Sequence, residues 1–175
     1  MRLAVLALTL FVALFDAAGT AAAATLKATL ITPENDPRLE RTRTERAYLG
    51  HPGGPATEGV QVALDEGGFE LEAAGAAVAL SPATAGSVES ARAAAQAAEK
   101  AGAALILTDL PADWTLAVAD AVKLPVLNIG ASDDSLRQQD CRPRLYHVLP
   151  SERMRADAIA QTLVSRKWSL SLIHI

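Results

Sequence analysis

The side chains that could do chemistry in this 175-residue chain are carboxylates and hydroxyls in loops, rather than grouped imidazoles or paired thiols. The histidines, at His51, His147 and His174, are far apart in sequence, and the single cysteine is Cys141. No spacing typical of a serine nucleophile elbow, a zinc protease, a phosphate-binding loop or a dithiol centre occurs. Cys141 is interpreted as a half-buried loop residue, since a nucleophile needs a histidine nearby. The sequence therefore predicts no catalytic residues, no metal site and no cofactor.

Two loops carry the polar groups best placed to contact a ligand. Thr108–Asp113 and Gly130–Asp133 each follow a short apolar run. Small residues with free backbone N–H groups at a helix start can hold an anion, and a serine hydroxyl adds an adaptable partner. For Asp109 and Ser132, helix capping remains the alternative to ligand contact. The candidate ligand-binding residues are Asp109, Leu110, Gly130, Ala131 and Ser132.

An alternation of apolar runs and amphipathic stretches predicts the elements that position these loops. The expected strands are Leu26–Thr32, Ala76–Leu80, Ala104–Leu107, Pro125–Ile129 and Leu145–Val148. The expected helices are Glu58–Glu66, with Val60, Ala63 and Leu64 facing inward, then Val88–Lys100, Thr115–Val122 and one from Ser151 to about Ser165. The strands are continuous apolar runs, which is typical of a sheet covered on both faces. This order predicts an α/β fold, a parallel sheet flanked by helices with right-handed crossovers, without fixing the strand order.

Ligands of parallel α/β sheets bind beyond the carboxyl ends of the strands. That rule supports the two loops above and adds Ser81–Ser87, which follows the second expected strand. Ser87, Asp113 and Asp133 have the residue types and positions of helix N-caps.

The N-terminus has the features of a secretory signal. Met1–Arg2 is a short positive start, Leu3–Phe15 is an unbroken apolar run, and small residues follow as far as Ala24. This order is typical of a cleavable signal peptide, and the run is short for a permanent membrane anchor. We expect a signal peptide over residues 1–24, with cleavage near Ala24; a buried core helix is the alternative. One cysteine cannot form an internal disulfide, so the exported domain must be held together by core packing.

The rest of the chain is predicted to be one partial domain with an unusual end. Residues 25–169 form the expected α/β lobe. A helix ending near Lys167 should lead into another strand, but Leu170–Ile175 ends the sequence instead. We interpret residues 170–175 as a non-native tail, with a genuine terminal strand as the alternative.

Composition excludes two classes of protein. Half of the residues are hydrophobic, which is unlike a disordered segment. The net charge is -4, and no basic patch interleaves with aromatic residues, so nucleic acid is not an expected partner.

Several segments resemble the N-terminal lobe of type I periplasmic solute-binding proteins, the receptors of ABC importers of the branched-chain amino acid class. They are Glu58–Glu66, Ser90–Leu107, Leu124–Arg137 and Leu145–Gln161. The block Asp140–Trp168 is similar to a narrower group associated with pyrroloquinoline-quinone-dependent alcohol oxidation. The resemblance implies a periplasmic protein, an N-terminal fragment of its family, that captures a small solute without covalent chemistry. It also implies an ABC permease in the inner membrane as partner.

In the amino-acid-binding relatives, ligand contacts come from a serine after one strand and a small-residue loop after the next. The positions that resemble them here are Asp109, then Gly130 and Ser132. An aspartate in place of the serine would repel a ligand carboxylate, and no Arg or Lys lies in these loops. The resemblance with this departure implies a neutral or cationic small ligand, or no tightly bound ligand. An exported α/β enzyme, or a ligand-sensing lobe with its remaining residues absent from the chain, is the alternative.

Overall fold

The computed structural model describes residues 24–39 and 54–168. The expected signal peptide before Ala24, His51, His174 and the tail 170–175 lie outside the described residues. The strands are β1 (Ala24–Pro33), β2 (Ala76–Ala85), β3 (Leu105–Thr108), β4 (Val126–Asn128) and β5 (Leu145–His147). The helices are α1 (Ala56–Glu66), α2 (Gly68–Ala73), α3 (Val88–Lys100), α4 (Ala112–Ala121) and α5 (Glu152–Ser165), with a 3-10 turn at Asp134–Arg137.

The strands form one parallel sheet in the order β2-β1-β3-β4-β5. This confirms the predicted α/β architecture and supplies the strand order, which the sequence left open. The order reverses between β1 and β3, because the chain leaves β1 towards one edge of the sheet and builds β3, β4 and β5 on the other side. Such a reversal opens a crevice beyond the carboxyl ends of the two central strands.

The core is built from branched side chains on the central strands and alanines on α3. Ile31, Ile106 and Val126 are fully buried on neighbouring strands. Ala91, Ala95 and Ala98 form the buried stripe of α3, at the spacing that places residues on one helix face. Alanine there lets α3 approach its neighbours closely, which explains how an alanine-rich chain forms a packed core.

The predicted start and end of α3 are confirmed. The Ser87 side chain accepts from the backbone N–H of Ser90, and the Ser90 side chain accepts from the backbone N–H of Ser87. These reciprocal bonds satisfy N–H groups that a helix start leaves without an intrahelical partner. Past the last turn, Gly102 has a φ of 79°, a left-handed conformation that favours glycine.

The prediction that β2 ends at Leu80 is wrong. The strand continues to Ala85 because β1 supplies a partner for each of these residues, as far as Pro33 opposite Ala85. Pro82 is tolerated because β2 is an edge strand. Most of the segment proposed as the loop Ser81–Ser87 is therefore strand. The expectation of a sheet covered on both faces also fails at β2, where only Ala85 is buried.

Smaller expectations about the helices also need correction. Neither α1 nor α2 has a buried residue, and Ala63, expected to face inward, is exposed. The helix α2 was not predicted. Asp113 lies inside the first turn of α4, whose N-cap is Pro111, and Asp133 precedes the 3-10 turn without a side-chain capping bond. Local sequence favours a cap, but the strand ends decide where each helix begins.

Candidate functional site

The crevice between β1 and β3 contains a cluster of three charged side chains. Asp109 follows β3 directly, and its backbone N–H donates to the Ile31 carbonyl of β1 at 3.0 Å. The segment after β1 contributes Asp36 and Arg38. Arg38 donates to Asp109 through Nη1 at 2.9 Å and to Asp36 through Nη2 at 2.7 Å. We call these three residues the Arg38 clasp.

The carboxylates of the clasp are shielded more than the guanidinium. Their side chains are 7% exposed at Asp36 and 13% exposed at Asp109, against 52% for Arg38. The Nε of Arg38 also bonds both oxygens of Asp36, at 2.9 Å and 3.0 Å, so this pair has the fork geometry that arginine favours with carboxylates. The clasp thus joins the ends of β1 and β3 by charge-assisted hydrogen bonds.

Pairing favours the charged forms of Asp36 and Arg38. Hydrogen bonding from Arg38 lowers the pKa of Asp36, and burial only partly opposes it. The same hydrogen bond, with a smaller contribution from Asp109, raises the pKa of Arg38. Two carboxylates and one guanidinium leave one negative charge.

Arg38 corrects one expectation about the site. Asp109 was expected to repel a ligand carboxylate with no cation nearby, because no Arg or Lys lies in the loops after β3 and β4. A guanidinium from the segment after β1 instead balances Asp109. The strand-end rule could have found it, since residues 34–38 follow a central strand of the same sheet.

The structure brings the loops of Asp109 and Gly130 into direct contact. A Cβ atom on Gly130 would lie 2.3 Å from Oδ1 of Asp109 and 2.8 Å from its Cα. Only glycine fits this position, because the nearest atoms include backbone that a side-chain rotation cannot move. Leu110 is buried at 2% exposure and anchors the first loop to the core.

Asn128, at the end of β4, organises the second loop. Its Oδ1 accepts from the backbone N–H groups of Gly130 at 3.1 Å and Ala131 at 2.8 Å. Its Nδ2 donates to the Ala131 carbonyl at 2.6 Å. The expectation that this loop offers free N–H groups to an anion is therefore wrong for Gly130 and Ala131. Asn128 was not predicted as a site residue, because it lies inside an apolar run.

Ser132 is tied to α5. Its hydroxyl donates to a carboxylate oxygen of Glu152 at 2.7 Å, and its carbonyl accepts from the backbone N–H of Glu152 at 2.9 Å. A ligand that uses the Ser132 hydroxyl must share it with Glu152. The serine still lies at the rim of a cavity, where its exchange of partners is sterically possible.

Two neighbouring cavities share the walls formed by Asp36 and Arg38. The larger, of about 600 Å³, is lined by Asp109 and by residues of the α1 start such as Glu58. The smaller, of about 370 Å³, is lined by four of the five candidate residues and by the Trp114 side chain. Those four are Leu110, Gly130, Ala131 and Ser132. The predicted site residues thus lie at one place, divided between two cavities.

Residues 24–39 and 54–168 lack a cluster of metal ligands, a membrane-spanning helix and a cysteine close to the cavities. They contain no group of His, Cys, Asp and Glu side chains arranged to hold a metal ion. No helix among them has the length and apolar character needed to cross a membrane. Cys141 is exposed rather than half-buried, and its loop is away from both cavities.

The fold is that of one lobe of a type I periplasmic binding protein. A periplasmic binding protein from Burkholderia mallei superposes with a TM-score of 0.60 at 19% identity, over 83% of this chain and 37% of that chain. A leucine-, isoleucine-, valine-, threonine- and alanine-binding protein from Brucella ovis, in a closed conformation, superposes with a TM-score of 0.59 at 18% identity. The match covers 82% of this chain and 37% of that chain. A solute-binding protein of an ABC transporter from R. palustris, in complex with 4-hydroxybenzoate, superposes with a TM-score of 0.56 at 16% identity. The match covers 81% of this chain and 36% of that chain.

The chain spans less than two fifths of the length of each of these structures. No protein-family model and no curated protein matches the sequence. The three structures are binding proteins, and at these identities the likeness establishes the fold.

Proposed function

We propose that the chain is the N-terminal solute-binding lobe of a periplasmic receptor, which captures a small solute and delivers it to an ABC permease in the inner membrane. The observation that carries the proposal is the convergence of the predicted ligand loops and the Arg38 clasp at the crevice between β1 and β3. Ligands of open parallel sheets bind at such a reversal of strand order. The chain spans 36% to 37% of the binding proteins compared above, which supports its being one part of a two-lobed receptor.

The charges of the crevice favour a neutral or cationic solute. The guanidinium of Arg38 already bonds two carboxylates, at 2.7 Å and 2.9 Å, so a ligand carboxylate would have to displace one of them. The smaller cavity is lined by Asp36 and Asp133 as well as by Arg38, and the indole of Trp114 offers an apolar and π-rich surface there. Such a surface attracts a cation as well as an apolar group. An alcohol or an amine fits these walls better than a carboxylic acid.

Calorimetry with paired compounds tests the ligand class. The two-lobed receptor is titrated with tyramine and 4-hydroxybenzyl alcohol, and with 4-hydroxybenzoate, the ligand in the R. palustris complex. Binding of the amine or the alcohol, without binding of the acid, is the expected result. Tight binding of the acid, lost in Arg38→Gln, would assign Arg38 to a ligand carboxylate and overturn the proposed charge preference.

Asp109→Ala tests the location of the site. We expect it to weaken binding of whichever compound binds by about tenfold or more, the value of one lost hydrogen bond to a charged group. Asp113→Ala is the matched control, because that exposed aspartate lines neither cavity. Equal affinity in wild type and Asp109→Ala would place the ligand elsewhere.

One lobe should hold a solute weakly, because receptors of this kind enclose the ligand by closing two lobes around it. The larger cavity is open to solvent over much of its surface. The isolated 175-residue chain should therefore bind at least about a hundredfold more weakly than the two-lobed receptor, a loss of about 3 kcal/mol. Equal affinity of the two would contradict this division of the site.

Export and physiological role belong to the same proposal. Cleavage after Ala24 would remove only the first, exposed residue of β1. Mass spectrometry of the exported protein should find Thr25 at its N-terminus. A role in alcohol catabolism dependent on pyrroloquinoline quinone is supported only by the resemblance of residues 140–168, and induction of the gene by alcohols is its test. Unchanged transcript levels on ethanol would remove that link.

A further inference from the structure

The starting observation is that the side-chain amide of Asn128 can have only one orientation. The residue is fully buried. Its Oδ1 faces two backbone N–H donors, those of Gly130 and Ala131, while its Nδ2 faces the Ala131 carbonyl. Rotating the amide by half a turn would place the NH2 group against both donors and the oxygen against another oxygen. The hydrogen-bond network therefore assigns which atom is nitrogen.

This orientation fixes the state of His147 on the adjacent strand. His147 lies opposite Asn128 in the β4–β5 register, with its Nδ1 3.1 Å from Nδ2 of Asn128. An amide NH2 can only donate, so Nδ1 must accept and can carry no hydrogen. The neutral ring then carries its hydrogen on Nε2, which is buried and has no partner that meets hydrogen-bond geometry among the described residues.

The surroundings of His147 oppose a second proton. Burial lowers its pKa most, and the nearby Arg137 guanidinium, on the 3-10 turn, lowers it further; a backbone contact with Leu136 acts weakly in the other direction. Arg137 itself donates to the Leu149 carbonyl. A protonated ring would also turn an N–H of Nδ1 against the NH2 of Asn128.

Two carboxylates on neighbouring elements are engaged elsewhere. Asp134, on the 3-10 turn, accepts from the Ser151 hydroxyl. Glu152, on α5, accepts from the Ser132 hydroxyl at 2.7 Å. Neither forms an ion pair with His147 in the described part of the chain. No carboxylate in the described part of the chain offsets the effect of the Arg137 charge, which lowers the pKa of His147.

We propose that Asn128 and His147 are positioning residues for the loop Gly130–Ser132, and that protonation of His147 breaks their hydrogen bond and loosens this loop. The inference rests on the proposed function only in giving the loop a ligand to contact. Because Asn128 is the single side chain among residues 24–39 and 54–168 that bonds both Gly130 and Ala131, any change at His147 is transmitted to the loop through one amide group. Acidification would weaken solute binding through this pair.

Histidine titration by NMR tests the pair without any ligand. Isotope-labelled 175-residue chain is titrated from pH 8 to pH 4.5, and the resonance missing in His147→Gln identifies the ring. The backbone amides of Gly130 and Ala131 should shift with the midpoint of His147, while the Gly102 amide, in a distant turn, should stay flat. In His147→Gln the glutamine oxygen can accept from Asn128 at every pH, so the two loop amides should lose their pH dependence.

Asn128→Asp provides the opposite perturbation. Its carboxylate keeps an acceptor for the loop N–H groups but places a negative charge beside the ring. We expect the His147 midpoint to rise by about one pH unit or more, as an adjacent opposite charge does. An aspartate here also faces the Ala131 carbonyl, so the variant could lose its fold; His147→Gln then carries the test alone.

Two results would overturn the inference. One is a His147 titration that leaves the Gly130 and Ala131 amides unmoved; the other is a pH dependence of those amides that persists in His147→Gln. Both are independent of solute binding. If Asn128 and His147 behave as proposed but calorimetry finds no ligand, their role in positioning the loop is supported and the proposed function is contradicted.

Discussion

Replacing Gly130 by alanine tests whether the two ligand loops are in contact. The added methyl would lie 2.3 Å from Oδ1, 2.8 Å from Cα and 2.9 Å from the carbonyl carbon of Asp109. Rotation of the Asp109 side chain can relieve the first contact but not the two with backbone. The loops must therefore separate, and forcing an extra methyl into a packed position costs about 1–3 kcal/mol.

The matched control is Gly59→Ala. A Cβ there has nothing within 4 Å, and Gly59 lies inside α1, where alanine favours the helix by about 0.5–1 kcal/mol. The same chemical change should therefore act in opposite directions at the two glycines. No general effect of alanine on solubility or expression could produce that contrast.

Thermal unfolding, followed by tryptophan fluorescence, measures both variants. Trp114 lines the smaller cavity beside Gly130, so its emission reports on the loops themselves. We expect Gly130→Ala to lower the midpoint of thermal unfolding by about 3–10 °C, at roughly 3 °C per kcal/mol for a chain of this length. Gly59→Ala should leave it unchanged or raise it. If the free energy of unfolding of Gly130→Ala is within about 0.5 kcal/mol of that of the wild type, the two loops are not in the contact described.

Two further substitutions probe the clasp and the start of α3. Arg38→Gln leaves two shielded carboxylates close together, and we expect the free energy of unfolding measured in urea at pH 7 to fall by about 1–3 kcal/mol. Since the folded-state pKa of Asp36 is lowered, pairing stabilises the fold above the ordinary value of 3.8 and is lost as pH falls below it; the deficit of the variant should shrink there, and a constant deficit would contradict the pairing. Ser87→Ala removes the hydroxyl that accepts from the Ser90 N–H and should cost about 1 kcal/mol in the same assay; a loss below about 0.3 kcal/mol would show that the cap is replaced by water.

Local signals in the sequence predicted α3 to the residue. Ser87 supplies a cap, the alanines supply one apolar face, and Gly102 supplies the left-handed turn that ends the segment. Each of these acts within a few residues, so sequence alone contains the information. The same holds for the alternation of strands and helices, from which the parallel sheet followed.

Features that depend on partners distant in sequence could not be predicted in this way. β2 runs past Leu80 because β1 is long enough to pair with it, which no residue of β2 indicates. Arg38 and Asp109 are 71 positions apart, and their contact requires β1 and β3 to be neighbours. Since the strand order was unknown, the sequence could predict loops after β3 and β4 but not the guanidinium that pairs with Asp109. Asn128 was not predicted as a site residue, because the neighbouring sequence of a polar residue in an apolar run does not indicate its hydrogen-bond partners.

The exposure of α5 has a consequence for the dynamics of the chain. None of its residues from Glu152 to Ser165 is buried, although Met154, Ile159 and Val164 are apolar. A free helix of this length is marginal in water, so its stability must come chiefly from its first turn, where the Ser151 cap and the hydrogen bonds between Glu152 and Ser132 hold it. Its backbone amides should consequently exchange with solvent far sooner than those of α3, and local unfolding of the chain should begin there.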